Sequence, residues 1–424
     1  MKKHSLYGTF ISLFFLFFLI GCAGTRKNVP SKEVLIQEKE QNQALKYLES
    51  NPNDPLAYFK LAKLSYQKKD YSKALVYLDS TISKNPDYKP GQLLKGKVLC
   101  QLGDYKQACS EFIHLLEQDS EGLYVREVGG TVGVLYKISQ LTQGNFNDAN
   151  PHFLPRGDQV LFQSDRNGNW DIFSMNPMGG AITAVVIDSM NQEFPVPAGM
   201  GDWVYYTQNQ AVESKFRDIY RVQLSSKKKE IVVGGLSDDW YPAPAGQELF
   251  FVSNRLFPEK DSLTSVFKKT IGKDEPPTPL FANGVYAAPF VNKKEGKLLF
   301  TKKENGFFHL FETNLSGKHL KALGTESLNY GNPCLSPDGK NVLFFSNLHK
   351  NYDIYLKNLQ TGVISRLTHF KGYDMNPVFS PDGAKILFQS NRDGHFHIYE
   401  INLNLPLSRG ELLDQLRRLS TSLE

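Results

Sequence analysis

The sequence predicts an α + β multidomain protein, in which an α-helical repeat segment is followed by an all-β, six-bladed propeller. Two repeat patterns carry this prediction. A helical pattern with a period of 34 residues covers 31–122, and an all-β unit recurs six times within 126–404. The 424-residue chain is 41% hydrophobic and 12% aromatic, which supplies enough apolar surface for several cores and excludes a wholly disordered chain.

Charge and cysteine content exclude two classes of protein. The net charge of +5 comes from 49 Lys+Arg and 44 Asp+Glu, a balance unlike that of a nucleic-acid binder with basic charge on one face. Four cysteines exclude a disulfide scaffold. Cys100 and Cys109 lie in the same repeat unit, and the sequence leaves open whether they form a disulfide or remain two buried thiols.

The first 21 residues have the pattern of a signal peptide. Lys2 and Lys3 precede an apolar run from Phe10 to Ile20, which is shorter than the roughly 20 residues of a spanning helix. The run ends in Leu19-Ile20-Gly21-Cys22, which resembles the bacterial lipobox. The resemblance implies lipidation of Cys22 and cleavage before it, which lowers the net charge from +5 to +3 by removing both lysines. An ordinary signal peptide or a buried strand is the alternative.

Residues 22–32 are predicted to form a polar tether. Ala23 is not the Asp that retains lipoproteins in the inner membrane, so the lipobox resemblance implies a lipid anchor in the outer membrane, facing the periplasm. The sequence leaves a cell-surface orientation open.

Residues 33–125 are predicted to form helical repeats. Asp70-Tyr71 and Ala74 return as Asp104-Tyr105 and Ala108, 34 residues later. This pattern resembles the tetratricopeptide repeat (TPR), with full units at 55–88 and 89–122 after a first helix. The resemblance implies a concave groove that binds a peptide or a helix of a partner. The residues at groove positions are Phe59, Lys63, Tyr66, Leu93 and Lys97. The alternative is that these residues pack against the next domain.

Residues 126–404 contain the all-β repeat. Each unit has an anchor proline followed by short apolar strands, and the prolines are Pro151, Pro195, Pro242, Pro289, Pro333 and Pro377. Ser-Pro-Asp-Gly at 336–339 and 380–383 has the composition of a hairpin turn. One small sheet cannot bury both of its faces, whereas six arranged radially cover each other. The spacing therefore predicts a six-bladed propeller.

These units resemble the six-bladed propeller of TolB, which shares the Pro-Asp-Gly turn and the turn seen here at 164–168 and 390–394. The α/β domain of TolB has no counterpart, so a literal TolB role is not implied. Residues 134–142 are predicted to complete the last blade beside 396–403. Residues 405–424 are predicted to form an amphipathic helical tail, with a strand at 416–420 as the alternative.

The segments before the anchor prolines are expected to line one mouth of the central channel. Aromatic faces with a few acids suit a peptide or a sugar, and the acids could hold a cation. Alternatively, the aromatic rings wedge neighbouring blades apart. The candidate residues are Asp148, Gln192, Asp239, Trp240, Tyr241, Tyr286, Tyr330, Tyr373 and Asp374.

No catalytic motif of the hydrolase, zinc-protease or phosphate-loop type occurs in the sequence, and no catalytic residue, metal ligand or cofactor is predicted. His395 and His397 could bind a metal, but a structural role is favoured. The order of segments resembles TPR-plus-propeller lipoproteins, some linked to secretion or gliding. It predicts a non-catalytic envelope scaffold that binds envelope proteins or peptides and no nucleic acid. A glycan- or small-ligand-binding propeller and a metal-dependent hydrolase or lactonase are the alternatives.

Overall fold

The computed structural model describes residues 32–422, except 200–201, 212–213, 215, 258–259, 261, 283 and 325–326. The predicted signal peptide, Cys22 and most of the tether lie outside these residues. The described chain begins with six helices, continues into 24 strands and ends in one further helix. The predicted order of a helical segment followed by a propeller is confirmed.

The helical segment consists of antiparallel hairpins. Its helices are α1 (Lys32–Ser50), α2 (Pro55–Gln67), α3 (Tyr71–Lys84), α4 (Lys89–Leu102), α5 (Tyr105–Glu117) and α6 (Val125–Val132). The carboxylates of Asp70 and Asp104 cap α3 and α5, because each accepts a hydrogen bond from a backbone N–H three residues later. The two hairpins start at Pro55 and Lys89, which confirms the period of 34 residues.

Small residues allow the helices of a hairpin to approach closely. Ala62 and Ala74 are fully buried between α2 and α3. At the equivalent place in the next hairpin, a Cβ on Gly96 would lie 2.3 Å from the Phe112 ring. Glycine is therefore required at this position, since no larger side chain fits beside the phenylalanine.

Six four-stranded antiparallel sheets follow. Blade 1 has β2 (Asp148–Phe153), β3 (Val160–Ser164), β4 (Asp171–Met175) and β5 (Thr183–Val186); blade 2 has β6 (Gln192–Pro197), β7 (Trp203–Asn209), β8 (Arg217–Gln223) and β9 (Lys229–Val233). Blade 3 has β10 (Asp239–Ala245), β11 (Glu248–Ser253), β12 (Ser265–Thr270) and β13 (Thr278–Pro279); blade 4 has β14 (Tyr286–Asn292), β15 (Lys297–Glu304), β16 (Phe307–Asn314) and β17 (Lys321–Gly324). Blade 5 has β18 (Tyr330–Leu335), β19 (Asn341–Ser346), β20 (Asp353–Asn358) and β21 (Ile364–Arg366). In each of these five blades, the first strand is the innermost one.

Blade 6 closes the ring as predicted. It has β22 (Asp374–Phe379), β23 (Lys385–Ser390) and β24 (His397–Pro406), and its outermost strand is β1 (Tyr136–Gln140) from the start of the propeller. Ile138 pairs with Ile401 in antiparallel register. The hydroxyl of Thr142 accepts a hydrogen bond from the Ile398 N–H at 3.0 Å. The two ends of the propeller are thus joined within one sheet.

The last helix, α7 (Arg409–Ser422), returns to the helical segment and packs along α5. Leu412, Leu413 and Leu416 are buried in a core shared with Phe112 and Leu116, and Leu419 packs against it. The amphipathic helix is confirmed, and the alternative strand at 416–420 is wrong. Cys100 and Cys109 lie in this same core as free thiols, so the open question of a disulfide is resolved in favour of buried thiols.

The helical segment extends through α6, beyond the predicted boundary at 125, and then contacts the propeller directly. Tyr105 of α5 places its ring edge-on to His369, with 4.8 Å between centroids. Its hydroxyl accepts a hydrogen bond from Arg366 at 3.2 Å. Arg366 also donates to the buried carboxylate of Asp353 at 2.6 Å, so one guanidinium joins the helices to blade 5.

Candidate interaction site at the propeller channel

The innermost strands β2, β6, β10, β14, β18 and β22 surround a narrow waist of about 70 Å³. Each strand has an irregular register at its anchor proline, and the residue before that proline has a positive φ. These residues are Asn150, Phe194, Tyr241, Ala288, Asn332 and Asn376. Bulges of this kind re-aim side chains, and here they turn one residue of each blade into the channel.

Glutamine side chains hold two of these strained positions. The Oε1 of Gln163 accepts a hydrogen bond from the Phe194 N–H at 2.8 Å, and the Oε1 of Gln389 accepts one from the Asn150 N–H at 2.9 Å. Each glutamine therefore binds the bulge of the next blade. A positive φ is costly for a residue other than glycine, and these contacts between blades offset part of that cost.

The predicted acidic candidates do not line the mouth. Asp148, Asp239 and Asp374 are fully buried at the first position of their strands. Arg166, Arg255 and Arg392 lie 2.9, 2.6 and 2.9 Å from these carboxylates in turn. Each arginine belongs to the Ser-x-Arg turn of the same blade and also stacks over aromatic rings. The acids hold these turns in place, so the expectation that they face a ligand is wrong.

Gln192 is also fully buried, because its amide is hydrogen-bonded to the carboxylate of Asp188 and to the Met190 carbonyl. The aromatic candidates have different environments. Tyr286 is buried against Phe281 and Phe300, which corrects its assignment to the mouth. Tyr373 is 48% exposed, and its ring lies 5.8 Å from that of Tyr352.

Tyr241 and Tyr330 are the two candidates that line a described cavity, although the Tyr330 residue is only 5% exposed. Tyr241 and Tyr330 line a pocket at the end of the channel where the inner strands begin, which we call the upper mouth. The half-buried ring of Trp240 lies 4.7 Å from the guanidinium of Arg217. Burial raises the pKa of the nearby Glu193 carboxyl, and Arg217 partly offsets that rise. Of the predicted set, only Tyr241 and Tyr330 line one of the cavities described for these residues.

The opposite end of the channel, the lower mouth, is a wider funnel of about 430 Å³. Proline and apolar side chains from all six inner strands line it, including Pro197, Pro244, Phe290 and Phe379. Among the described residues of this lining, Lys293 is the one charged side chain. At the base of the funnel, burial lowers the pKa of His152 to about 4, so this ring is uncharged at neutral pH. The lower mouth is therefore a concave, largely apolar surface, with Lys293 as the one charged side chain among its described residues.

The predicted groove residues of the helices lie in three different environments. Phe59 packs edge-on against Tyr88 at 5.1 Å between centroids, and Lys63 is exposed beside it. Leu93 packs against the core shared with α7. Tyr66 and Lys97 line a cleft that the helices share with blade 5, and Lys97 forms an ion pair with Glu127 of α6. One part of the predicted groove is thus also a boundary with the propeller.

Sequence reasoning missed the lower mouth and the bulged residues before the prolines. A signal for the bulges is present, because Asn-Pro recurs at 150–151, 332–333 and 376–377, and asparagine tolerates a positive φ better than other residues. The repeat pattern predicts a mouth at the start of each inner strand. The open funnel lies at the other end, beside the Pro-Asp-Gly turns.

Taken together, this architecture defines a helical-repeat protein with a six-bladed β-propeller. Residues 329–409, which cover blades 5 and 6, match the model of the PD40 family, described as a TolB beta propeller domain. These are the blades that retain the Ser-Pro-Asp-Gly turn. In both turns the serine hydroxyl bonds to the aspartate carboxylate and the glycine has a positive φ.

Several solved propellers are similar to the chain at low identity. TolB from Acinetobacter baumannii is 15% identical, with a TM-score of 0.46, over 61% of this chain and 64% of that one. A putative TolB from Agrobacterium tumefaciens is 14% identical, with a TM-score of 0.47, over 62% and 96%. An oligogalacturonate lyase from Vibrio parahaemolyticus is 13% identical, with a TM-score of 0.46, over 63% and 93%. These values carry no inference about activity.

No curated protein sequence matches the chain. Within the described part of the chain, none of the helices has the length and apolar character needed to cross a bilayer. The same residues contain no cluster of three or more His, Cys, Asp or Glu side chains placed to hold a metal. His397 is buried rather than on the surface, as its ring packs against Phe146.

Proposed function

We propose that the protein is a non-catalytic, lipid-anchored scaffold of the cell envelope, which binds a segment of a partner protein at the lower mouth of its propeller. The observation that carries this proposal is the funnel itself. It is concave, lined by proline and apolar side chains from all six blades, and nearly free of charge among its described residues. Such a surface suits an apolar peptide segment, with specificity arising from shape.

The buried carboxylates support an interaction role over hydrolysis. Asp148, Asp239 and Asp374 are each neutralised by an arginine within the blade, so these acids act as structural ion pairs in this proposal. The helical segment, which we propose to be a short TPR stack, supplies a second surface. The proposal also includes anchoring through Cys22, a periplasm-facing position in the outer membrane, and a place in a secretion or gliding assembly. These parts rest on the resemblances of the sequence to known families.

The partner at the lower mouth is tested by photo-crosslinking in intact cells. A photoreactive phenylalanine analogue at Lys293, which lies in the funnel, is expected to crosslink to an envelope protein. The same analogue at Lys321 is the matched control, because this lysine is also exposed and lies on β17, the outer strand of the same blade. Val291→Asp places a charge in the funnel and is expected to reduce the crosslinked product about tenfold.

Equal crosslinking from Lys293 and Lys321 would contradict a partner at the lower mouth. Val76→Asp, on the 63% exposed Val76 of α3, controls for the introduced charge and is expected to leave the product unchanged. A crosslink to polysaccharide, with no protein product, would instead favour a glycan-binding propeller.

Cys22→Ser is expected to release the protein from the membrane fraction. The thiol of Cys22 is the only group at this position of the lipobox that can carry the diacylglycerol, so serine removes the anchor. Cell fractionation and immunoblotting measure the distribution between membrane and soluble fractions. Ala23→Ser changes the neighbouring residue and is expected to leave the protein in the membrane. Persistence of Cys22→Ser in the membrane fraction would refute the lipid anchor.

A further inference from the structure

A cleft of about 570 Å³ lies between the helical segment and the outer edge of blade 5. We call it the junction cleft. Its helical wall includes Lys97 of α4 and Arg126 of α6, and its propeller wall includes Leu348 and Val363. The outermost strand of blade 5, β21, lies along the cleft. The edge of a β-sheet therefore faces an open cleft between the helices and the propeller.

The edge of β21 has free hydrogen-bonding groups. Asn358 donates to the Val363 carbonyl at 2.9 Å, and Leu367 donates to the Ile354 carbonyl at 2.8 Å. Because hydrogen-bonded and non-bonded pairs alternate in an antiparallel ladder, the N–H and C=O of Ile364 and Arg366 point away from β20. Among the described residues, no hydrogen bond to these backbone groups is found. Arg366 is 4% exposed and lies close to Gly133 at the end of α6, so the accessible part of this edge is Ile364. The free backbone groups of Ile364 are a template for another extended chain.

The side chains around this edge indicate what kind of chain fits. Val363 is 59% exposed and Leu348 is 39% exposed, so both offer apolar surface. Lys97 is paired with Glu127, whereas Arg126 has no ion pair among the described residues. The cleft therefore combines free backbone groups, apolar side chains and one available positive charge.

We propose that the junction cleft binds an extended segment of a partner protein, which adds a strand to β21, packs apolar side chains on Val363 and Leu348, and places an acidic residue beside Arg126. This site deepens the interaction role proposed above by adding a second contact. It lies on the outside of the ring, away from the channel. Variants in the funnel leave the cleft intact, and variants in β21 leave the funnel intact. Each of the two proposals can therefore be refuted without refuting the other.

Proline substitution tests the strand addition selectively. Ile364→Pro removes the outward N–H of β21 without removing a hydrogen bond of the blade. The matched control is Ile231→Pro in β9 of blade 2. Gln223 donates to the Lys228 carbonyl at 2.9 Å, so Ile231, opposite Tyr220, also points its N–H away from the sheet. Both positions are isoleucines on outer strands, but only Ile364 lies in the junction cleft.

The probe is a displayed library of random peptides, selected against the full-length chain in detergent. Selected peptides are expected to carry an acidic residue, to bind Ile364→Pro about tenfold more weakly, and to bind Ile231→Pro with unchanged affinity. Hydrogen exchange is expected to slow at the Ile364 amide when a peptide binds. Recovery of no peptide, or equal binding to Ile364→Pro and the parent chain, overturns the proposal. Peptides that lose affinity only for Val291→Asp also overturn it, and they support the lower mouth.

Discussion

Replacing Arg366 with methionine is expected to lower the free energy of unfolding by about 3–5 kcal/mol. Arg366 and Asp353 form an ion pair at 2.6 Å, and the side chains are 3% and 0% exposed. Methionine leaves a buried carboxylate without its counter-charge, which costs far more than the loss of a surface contact. It also removes the hydrogen bond to Tyr105 that joins the propeller to the helices. Calorimetry on both proteins measures the change.

The pH dependence of this loss of stability distinguishes an Asp353 carboxylate that has lost its counter-charge from a simple packing defect. Burial raises the pKa of Asp353 to about 7, and Arg366 acts against that rise, so methionine raises the pKa further. The unfolded chain has an ordinary aspartate pKa of about 3.9. The folded variant therefore takes up its proton at a higher pH than the folded parent. Its stability relative to the parent rises as pH falls from alkaline values toward about 7, and changes little at lower pH, where Asp353 is protonated in both folded proteins.

A loss for Arg366→Met that is equal at pH 8 and pH 5 would contradict the role of Asp353. Arg417→Ala supplies the matched control, because Arg417 pairs with Glu117 at 3.0 Å while both side chains are about half exposed, at 54% and 50%. An exposed pair contributes about 0–1 kcal/mol, so this substitution is expected to change the stability little.

The sequence predicted the propeller well because its signals are local and repeated. The anchor proline and the apolar strand that follows it recur in all six blades, and the Pro-Asp-Gly and Ser-x-Arg turns recur in some of them. Closure of the ring was also predictable, because Ile138-Ser-Gln-Leu-Thr142 and Ile364-Ser-Arg-Leu-Thr368 occupy the same position before an anchor proline.

The candidate site was harder to predict, because a position that recurs in every repeat does not show which way its side chain points. Asp148, Asp239 and Asp374 recur at the start of an inner strand, and this recurrence predicts acidic side chains around one mouth of the channel. The structure shows that each acid instead meets an arginine of its own blade, a contact that depends on the turn geometry. The junction cleft depends on the packing of α6 against β21, two elements far apart in the chain, and no local pattern reports that contact.

The second large loss of stability is expected from a substitution in the packed face of α7. Leu416→Ala is expected to destabilise the helical segment by about 2–5 kcal/mol, because Leu416 is fully buried between helices from opposite ends of the chain. Alanine leaves a cavity beside Phe112 and Leu116, which the packed core fills only partly. Leu405→Ala is the matched control, since Leu405 is 63% exposed.

Hydrogen exchange can locate this loss, because α7 and the helical segment form one hydrophobic cluster, whereas the propeller blades form separate clusters. Faster exchange is expected in α5, α6 and α7, with little change in the inner strands of blades 2–4, which have their own cores. Uniformly faster exchange across all six blades would mean that the ring and the helices unfold together. Unchanged exchange in α5 would contradict the role of α7 as the helix that completes the helical stack.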